Sequence, residues 1–372
     1  MIELTLPAGS FASALQAFSH GADAVYLGLT SFSARSSAQN FTLEEVAKLK
    51  TLSLELHKKI YIAINTLLDD DEIAQTIPLL KSLELIQVDG IIVQDLGLAS
   101  IIHHDFPTLP LHASTQLAVH SVKGVEALVA LGFSRVVLAR ELTLGEIQHI
   151  RTSCPDISLK VFIHGAMCYG FSGLCMASST LTDRSANKGE CAQICRSWFT
   201  SEDMRETTQG YFFSMKDLHT SKETIRQLIS MGIDSLKIEG RMKSPEYVAL
   251  ASQYYRMLID GEKDDVKIIS MREKMDTSFA RMQSGGWLCD YDKPTIHSIR
   301  STPSLITTTY PGHYGVMVGS IIEESKELKG YYLIKAERDI SLRDGLLITY
   351  TTRGKRDEAV AFSARDLLDR SF

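Results

Sequence analysis

Short apolar runs alternate with helical patterns along the first 240 residues of the chain. Runs such as AVYLGL, KIYIAI, GIIVQD and RVVLAR are continuously apolar, which is typical of parallel strands buried on both faces. The helical stretches that begin at Thr42 and Thr143 carry a glutamate three residues later, the pattern of a capping box. We predict strands at Ile2–Leu6, Ala24–Gly28, Lys59–Asn65, Gly90–Asp95, Leu111–Ser114, Arg135–Arg140, Leu159–His164 and Ser235–Glu239.

Eight β/α repeats predict an α/β protein built on a TIM-barrel-like (β/α)8 domain. A doubly wound open sheet is the alternative, but no glycine-rich dinucleotide fingerprint follows the first strand, so the barrel is favoured. The connection between strands seven and eight is exceptional, because about 70 residues separate His164 from Ser235. A loop of that length is usually functional, and in a barrel it would lie at the catalytic, carboxyl-terminal end of the strands.

The pattern changes after the eighth strand. Helices are predicted at Pro245–Gly261 and Val266–Ser284, followed by a stretch rich in Pro, Thr and Ser and then by short alternating strands. We therefore expect a barrel domain over residues 1–290 with a Cys-rich loop at 165–200, a linker at 291–314, and a small β-rich C-terminal module at 315–372. The abrupt end at LLDRSF leaves open whether that module is complete.

Composition narrows the class of protein. Hydrophobic residues make up 44% and charged residues 23% of the chain, as in an ordinary globular protein. A net charge of −6 and a pI of about 6.0 exclude a strongly basic nucleic-acid binder, so any RNA contact must use a local basic patch. No signal-peptide pattern and no run of membrane-spanning length is found, and we expect a cytoplasmic protein with reduced thiols and no membrane span.

Four of the six cysteines are concentrated in one segment, with the spacing C-x6-C-x15-C-x3-C: Cys168, Cys175, Cys191 and Cys195. In a reducing compartment such a cluster favours metal ligation over disulfides. Structural zinc sites usually use two tight pairs, and only the last two cysteines are that close, whereas iron–sulfur clusters accept looser spacing. The spacing therefore predicts a metal site and favours iron–sulfur only slightly over zinc.

Two alternatives for this segment stay open. The four cysteines could simply be buried, since free cysteine is among the most buried residue types. One of them could instead be a nucleophile with His164, four residues before the first cysteine, as its base. Cys154 and Cys289 stand apart from the cluster and are interpreted as ordinary, partly buried cysteines.

Polar side chains recur at nearly every predicted strand end. A single such residue often only caps the next helix, but so many together predict a polar pocket. The members are Tyr26, Asn65, Gln94, Asp95, His112, Gln116, Arg140, Glu141, His164, Glu239 and Arg241.

Two segments near this pocket are basic. In SLKIEGRMKSPEY, Lys237, Arg241 and Lys243 could bind a carboxylated ligand, and the alternative is an exposed salt-bridged loop. Arg184, Lys188 and Arg196 flank the cysteines and would either be solvated or contact a small anion or an RNA phosphate.

Several motifs together resemble the collagenase-like peptidase family U32. They are LPAGSFASALQAFSHGADAVYLG (6–28), FSARSSAQNFT (32–42), VQDLG (93–97), HASTQ (112–116), VVLARELTLGEI (136–147), FIHGAMCYGFSGLC (162–175), NKGECAQICR (187–196) and SLKIEGRMKSPEYV (235–248). The resemblance covers about residues 1–260, and YPGHYGVMVGSI looks like the start of the β module of longer members. Lys188 and Ile194 depart from the commoner Arg and Pro of the family and leave the four cysteines intact.

The resemblance implies an iron–sulfur enzyme that hydroxylates a tRNA uridine or a ribosomal RNA cytidine, with prephenate as the hydroxyl source. It implies a [4Fe–4S] cluster on Cys168, Cys175, Cys191 and Cys195, with zinc as the alternative metal. Peptidase activity, or hydroxylation of a ubiquinone precursor, are the alternative functions that the family offers. The sequence does not indicate an oligomeric state.

Strand-end position then suggests roles inside this scheme. Arg140, Lys237 and Arg241 would bind the dicarboxylate donor, and Glu239, Glu141 and His164 are the acid/base candidates. The further substrate-binding candidates are Arg196, His112, Gln116, Asn65 and Asp95.

Overall fold

A closed barrel of eight parallel strands forms the centre of the molecule, as predicted. The computed structural model describes residues 2–33, 39–202, 207–288, 305–307, 310–326, 328, 330–349 and 359–367. The barrel strands are Glu3–Ala8 (β1), Ala24–Gly28 (β2), Lys59–Ile64 (β3), Gly90–Val93 (β4), Leu111–Ala113 (β5), Arg135–Val137 (β6), Ser158–Gly165 (β7) and Ser235–Ile238 (β11). The last strand pairs in parallel with both β7 and β1, which closes the ring and rules out the open sheet.

Helices surround the barrel and occupy the connections between its strands. They are Phe11–Ser19 (α1), Leu43–Glu55 (α2), Asp70–Ile86 (α3), Leu96–Asp105 (α4), Val122–Ala130 (α5), Leu144–Ser153 (α6), Ala177–Leu181 (α7), Lys222–Ser230 (α8), Pro245–Ile259 (α9) and Asp265–Ser278 (α10). The predicted capping boxes at Thr42 and Thr143 are both present. None of the helices in the described ranges is long and apolar enough to cross a bilayer.

The last predicted helix is shorter than expected. It ends at Ser278 because Phe279 adopts an extended backbone. The following residues Gln283–Ser284 (β12) pair instead with Asp217–His219 (β10), a short strand that runs antiparallel to the end of β7. Between β7 and β10, Phe199–Glu202 (β8) and Thr207–Gly210 (β9) form an antiparallel pair.

The apolar core lies between the barrel and its helices, whereas the barrel interior is largely polar. Along β1, Leu4 and Leu6 belong to the main core, while Glu3 and Thr5 bond to residues across the interior. Among the described residues, a small apolar cluster separate from the main core lies inside the barrel, and its members are Ala24, Tyr26, Tyr61 and Ile92. Because strand side chains alternate, the apolar runs build the outer core and polar residues between them face the interior.

Beyond the barrel, the chain forms short antiparallel pairs. They are Gly319–Glu324 (β13) with Tyr332–Ala336 (β14), and Gly345–Thr349 (β15) with Ala359–Ser363 (β16). The described parts of the predicted linker lie against the barrel domain, since Ile306 bridges to Met215 and the Tyr314 amide donates to Ala280 O at 2.7 Å. Residues 291–304 and 308–309 of that linker, and Cys289, lie outside the described residues.

Candidate active site

A buried lysine marks the carboxyl-terminal mouth of the barrel. Lys237 Nζ lies 3.9 Å from the centre of the Tyr26 ring and 4.9 Å from that of Phe162. The Tyr26 hydroxyl donates to Glu239 Oε2 at 2.9 Å. Strands β2, β7 and β11 thus bring an ammonium group, two aromatic faces and a carboxylate together, and ring faces stabilise a desolvated cation at such distances.

Arg241 is the second buried cation at the mouth. Only 5% of it is exposed, and its Nη1 donates to Ser33 Oγ at 2.6 Å. A Cβ on Gly28 would lie 2.1 Å from that Nη1, and a Cβ on Gly9 would lie 1.8 Å from the Arg241 carbonyl oxygen. Glycine is therefore required at position 9 by the Arg241 backbone, whereas a side chain at position 28 would displace the Arg241 guanidinium group from its present place.

Arg140 connects the mouth to the cysteine segment. Its Nη1 donates to Ala166 O at 3.0 Å, and its guanidinium carbon lies 5.6 Å from the Phe162 ring centre. Its Nε is buried without a hydrogen-bond partner among the described residues. A buried donor without a protein partner is costly to leave unbonded, so the Arg140 Nε is suited to donate to an acceptor atom of a bound ligand.

The amide and carboxylate residues at the neighbouring strand ends have separate roles. Asn65 Nδ2 donates to Gln116 Oε1 at 2.7 Å, so these two predicted residues are together. Gln94 Oε1, buried at the end of β4, has no partner among the described residues. Asp95 caps α4 by accepting from the Leu98 amide at 2.9 Å, and it also accepts from the Leu68 amide. Asp95 is thus accounted for by the fold.

Glu141 positions the cysteine segment instead of facing the mouth. Its Oε1 accepts from the Ser172 amide at 2.7 Å, and its Oε2 accepts from the Ser172 hydroxyl. Ser172 has a φ of 49°, and its Oγ also accepts from the Arg140 amide at 3.0 Å. The proposed acid/base role of Glu141 is therefore not supported, because both carboxylate oxygens hold a strained turn.

A second set of contacts holds the far end of the same segment. The Leu67 amide donates to Asn187 O at 3.0 Å, and Lys188 pairs with Glu72 and with Asp69. Lys188, one of the basic residues expected to meet solvent or an anion, is thus neutralised by acids of the α3 N-terminus. The segment between Cys168 and Cys195 is anchored at both ends to loops at the barrel mouth.

The four clustered cysteines are close enough to interact electrostatically, since Cys168 interacts with Cys175 and Cys191, and Cys195 interacts with Cys168 and Cys191. None of the four forms a disulfide. Burial raises the pKa of Cys168, the Arg140 guanidinium acts in the opposite direction, and the neighbouring Cys175 and Cys191 raise it further. Burial likewise raises the pKa of Cys195, where Cys168 and Cys191 also act. No group of three or more His, Cys, Asp or Glu in the described ranges already has the arrangement of a metal site.

Each of the four sulfurs accepts a hydrogen bond from a backbone N–H. The Ala177 amide lies 3.4 Å from Cys175 Sγ, and the Gln193 amide lies 3.4 Å from Cys191 Sγ. The amides of Gly170 and Tyr169 donate to Cys168 and Cys195. Backbone donors directed at sulfur stabilise thiolates and tune thiolate-ligated iron, so the donor set has the chemistry of a thiolate metal site.

His164 lies outside the barrel interior, contrary to its predicted role. Its Nε2 is 2.8 Å from the Tyr247 hydroxyl and its Nδ1 is 3.0 Å from the Tyr255 hydroxyl, both on α9. Burial, reinforced by the Arg272 and Lys243 charges, lowers the pKa of His164 to about 3. A neutral histidine with both nitrogens occupied is not a base for Cys168.

His112 is also directed away from the mouth. It packs edge-on against Tyr61 at 4.9 Å between ring centres, and a Cβ on Gly90 would meet its ring. Gly90 begins β4, and His112 is paired in register with Arg135, which begins β6. Its predicted substrate-binding role is therefore not supported, because its ring faces the amino-terminal half of the barrel.

Arg196 belongs to a basic group beside the cysteines, which the sequence indicated only in part. Its Nη2 lies 3.2 Å from Asp217 Oδ1, and Arg281 Nη1 lies 3.5 Å from the same oxygen. Lys243 Nζ is 2.7 Å from the Phe279 ring centre. Burial and the Arg281 charge lower the pKa of Lys243 to about 7, although Asp217 partly opposes them.

Sequence reasoning missed Asp217 and Arg281 because they come from a three-residue strand and from a turn, which leave no periodic signal. The side chains that the structure brings together at the mouth are Tyr26, Asn65, Gln116, Arg140, Phe162, Lys237, Glu239 and Arg241, with the four cysteines beside them.

A (β/α)8 barrel with a cationic mouth and four adjacent thiols has the architecture of a barrel enzyme. The chain matches Peptidase family U32 over residues 9–298 and belongs to that family.

Curated relatives carry two kinds of name. The chain is 40% identical over 263 residues to the 23S rRNA 5-hydroxycytidine C2501 synthase of Escherichia coli (strain K12), covering 70% of this chain and 39% of that protein. It is 38% identical over 271 residues to the tRNA hydroxylation protein P1 of Bacillus subtilis (strain 168), covering 70% and 63%. It is 32% identical over 303 residues to a protein named collagenase from Porphyromonas gingivalis (strain ATCC BAA-308 / W83), covering 75% and 71%. The chain thus spans less than two thirds of the first two relatives.

Proposed function

We propose that this chain is an iron–sulfur-dependent enzyme that hydroxylates a base of tRNA or ribosomal RNA. The observation that carries the proposal is the group of four neighbouring thiols, each with a backbone N–H donor, beside a barrel mouth rich in buried cations. The names of the relatives at 38% and 40% identity support RNA as the substrate. An RNA substrate and a thiolate-bound cluster both agree with the expected cytoplasmic location.

Cys168, Cys175, Cys191 and Cys195 would hold a [4Fe–4S] cluster, with zinc as the alternative metal. The donor set fits such a group, because four thiolates with backbone N–H···S bonds are its usual ligands. When bound, the cluster would supply the redox chemistry, while the protein provides binding, orientation and electrostatics. Glu141 would act as a positioning residue, since it fixes the Ser172 turn on which two of the cysteines depend.

The barrel mouth would bind the hydroxyl donor, a small dicarboxylate such as prephenate. Arg140 has a buried Nε that needs an acceptor, and Lys237 and Arg241 lie on the neighbouring strand β11 and the loop after it. Arginine presents a fork of N–H donors that matches a carboxylate, and Arg140, Lys237 and Arg241 place three cationic side chains at the mouth. A small dianion would have the charge and the acceptor atoms that suit these side chains.

Glu239 is the acid/base candidate that the geometry supports. Its Oε2 accepts from the Tyr26 hydroxyl, so a proton can be held between carboxylate and phenol at the mouth. His164 and Glu141 are both engaged with other parts of the fold. Glu239 would therefore take the proton that leaves the hydroxylated base.

The alternatives find less support. A cysteine peptidase needs a thiol paired to a histidine, and both nitrogens of the nearest candidate, His164, are bonded to tyrosines. The relative named collagenase is matched at lower identity than the two hydroxylation proteins. Hydroxylation of a ubiquinone precursor is not suggested by the names of these relatives.

Mass spectrometry of nucleosides from total RNA tests the proposal. A strain without this gene should lack one hydroxylated pyrimidine nucleoside, which the wild-type gene and a Cys154→Ala variant restore. Cys175→Ala should not restore it. An unchanged nucleoside profile in the strain without the gene would contradict the proposal.

A further inference from the structure

A cleft beside the cysteine segment is lined by residues that have no part in the proposed chemistry of the barrel mouth. The cleft has a volume of about 610 Å³ and is lined by Gln193, Arg196, Ser197, Trp198, Tyr211, Arg281, Tyr310, Pro311 and Gly312. We call it the aromatic cleft. Its volume lies in the range of small-ligand sites.

One wall of the aromatic cleft is continuous with the cluster segment. Gln193 lies between Cys191 and Cys195, and its amide donates to Cys191 Sγ. Arg196 follows Cys195 directly and acts on its thiol electrostatically. Whatever occupies the aromatic cleft therefore lies next to the thiols.

The opposite wall comes from residues 310–312, which are fixed to the barrel domain. On one side the Thr307 amide donates to Ser214 O at 2.8 Å, and on the other the Tyr314 amide donates to Ala280 O. The His313 ring stacks on Phe279, with 5.0 Å between centres. The cleft thus has two fixed walls in the described part of the chain.

The lining combines aromatic rings with positive charge. Trp198 packs edge-on against Tyr211 at 5.1 Å, and Tyr310 forms a third ring of the lining. Arg196 and Arg281 share one carboxylate, Asp217, so two cations face one anion. None of the lining residues is acidic.

Rings and guanidinium groups in one groove are the features that bind single-stranded nucleic acid, since bases stack on rings and phosphates pair with cations. The chain as a whole carries a charge of −6, so such a local basic patch is what RNA binding requires here.

We infer that the aromatic cleft binds one unstacked nucleotide of the RNA substrate, with its base against the rings and its phosphate on Arg196 and Arg281. The inference rests on the proposed function and adds the place where the RNA is held. The two ligands therefore have different binding sites: the small dicarboxylate is assigned to the barrel mouth and the nucleotide to the aromatic cleft.

The fluorescence of Trp198 can report whether RNA binds in the aromatic cleft. It has two tryptophans, so Trp287→Phe leaves Trp198 as the only tryptophan fluorophore. Titration of anaerobically purified Trp287→Phe protein with a single-stranded uridine- and cytidine-containing oligoribonucleotide should quench the Trp198 emission. Quenching should saturate and weaken as salt is raised, because the phosphate contact releases counterions.

Substitutions in the cleft should then weaken binding of a labelled oligoribonucleotide. Trp198→Ala should lower its affinity by at least about fivefold, the lower bound for one stacked base. Arg281→Ala should lower the affinity and flatten its salt dependence. Arg226→Ala, at an exposed arginine on α8, is the matched control and should bind as the wild type does. Thermal melting of each variant shows that loss of binding is not loss of fold.

Unchanged Trp198 emission at saturating RNA, or wild-type affinity in Trp198→Ala, would overturn the inference while leaving RNA hydroxylation intact. Quenching by malonate as a dicarboxylate probe and not by RNA would also overturn it. If the wild type binds no RNA and no hydroxylated nucleoside depends on the gene, the proposed function fails together with the inference.

Discussion

The two ends of the barrel interior are both rich in charge, but they differ in how that charge is satisfied. At the amino-terminal end, Glu3 accepts from Tyr61 at 2.6 Å, from Ser235 at 2.8 Å and from Arg135 at 2.9 Å, and Lys160 lies 3.2 Å away. At the carboxyl-terminal end, buried atoms of Arg140 and Gln94 have no partner among the described residues.

This difference shows that polar side chains inside one barrel can stabilise the fold at one end and bind a ligand at the other. Both ends arise from polar residues that alternate with the apolar residues of the outer core. At the amino-terminal end these residues satisfy one another's charges and hydrogen bonds, so their network stabilises the fold. At the mouth, Arg140 Nε and Gln94 Oε1 are buried without a hydrogen-bond partner among the described residues, which suits these two atoms to binding a ligand.

Glu3→Gln should disrupt the network of hydrogen bonds and ion pairs at the amino-terminal end of the barrel, and it should have the largest effect on stability. Burial acts to raise the pKa of Glu3, but Lys160 and Arg135 hold it well below its usual range. Removing the carboxylate leaves these cations buried without their partner, and we expect the free energy of unfolding to fall by about 3–5 kcal/mol at pH 7. Chemical denaturation measures it.

Two controls accompany that measurement. Glu55→Gln, at an exposed glutamate of α2, should change stability by less than about 0.5 kcal/mol. The difference between Glu3→Gln and wild type should shrink as pH falls below 4.5, because Glu3 stabilises the fold only while it is ionised. Equal stability of Glu3→Gln and wild type at pH 7 would show that the charges at the amino-terminal end do not stabilise the fold.

Lys237→Met should have the opposite profile, with a large effect on activity and a small effect on stability. Methionine keeps the apolar stem between Tyr26 and Phe162 but removes the charge. We expect RNA hydroxylation to fall by about 100-fold or more, the usual effect of removing one positioned polar group. Iron content should not change. Single-turnover assays measure it, with Lys81→Met, at an exposed lysine, as the control.

His164→Gln should have the smallest effect, visible in the pH dependence of stability. Because burial lowers the pKa of His164 to about 3, the unfolded chain binds a proton below its ordinary pKa of 6.5 that the folded chain does not. Stability is therefore lost as pH falls from 6.5 towards 3, by at most about 1.4 kcal/mol per pH unit for this residue.

His164→Gln should lose the contribution of His164 to the slope of the unfolding free energy against pH. Urea denaturation at pH 7 and pH 5 measures this slope, and Gln148→Ala, at an exposed residue of α6 that does not titrate, should keep the wild-type slope. An unchanged slope in His164→Gln would show that His164 is not the buried neutral group that its tyrosine contacts indicate.

The barrel could be predicted from sequence because its outer core is made of continuous apolar runs, such as GIIV in β4 and the core residues of β1. The capping boxes at Thr42 and Thr143 were equally predictable, since each depends on local chemistry within one turn. The segment with four cysteines was recognisable from its spacing and its length.

The side chains that face the mouth could be predicted only where the strands are regular. His164 follows a register shift between β7 and β11, which turns its ring towards α9. A bulge of this kind leaves no pattern in the sequence. His112 lies in the middle of a strand of only three residues, so its distance from the strand end was misjudged. The shared Asp217 and the aromatic cleft depend on long-range contacts that no local pattern contains.

We propose that the four thiols beside the mouth hold an iron–sulfur cluster. Analysis of iron and acid-labile sulfide in anaerobically purified protein, with electron paramagnetic resonance of the reduced sample, tests it most directly. We predict iron and sulfide in equal amounts and a cluster signal that is lost in Cys191→Ser and kept in Cys154→Ser. Protein that contains zinc or no metal after strictly anaerobic purification, or a cluster that survives Cys191→Ser, would contradict the claim.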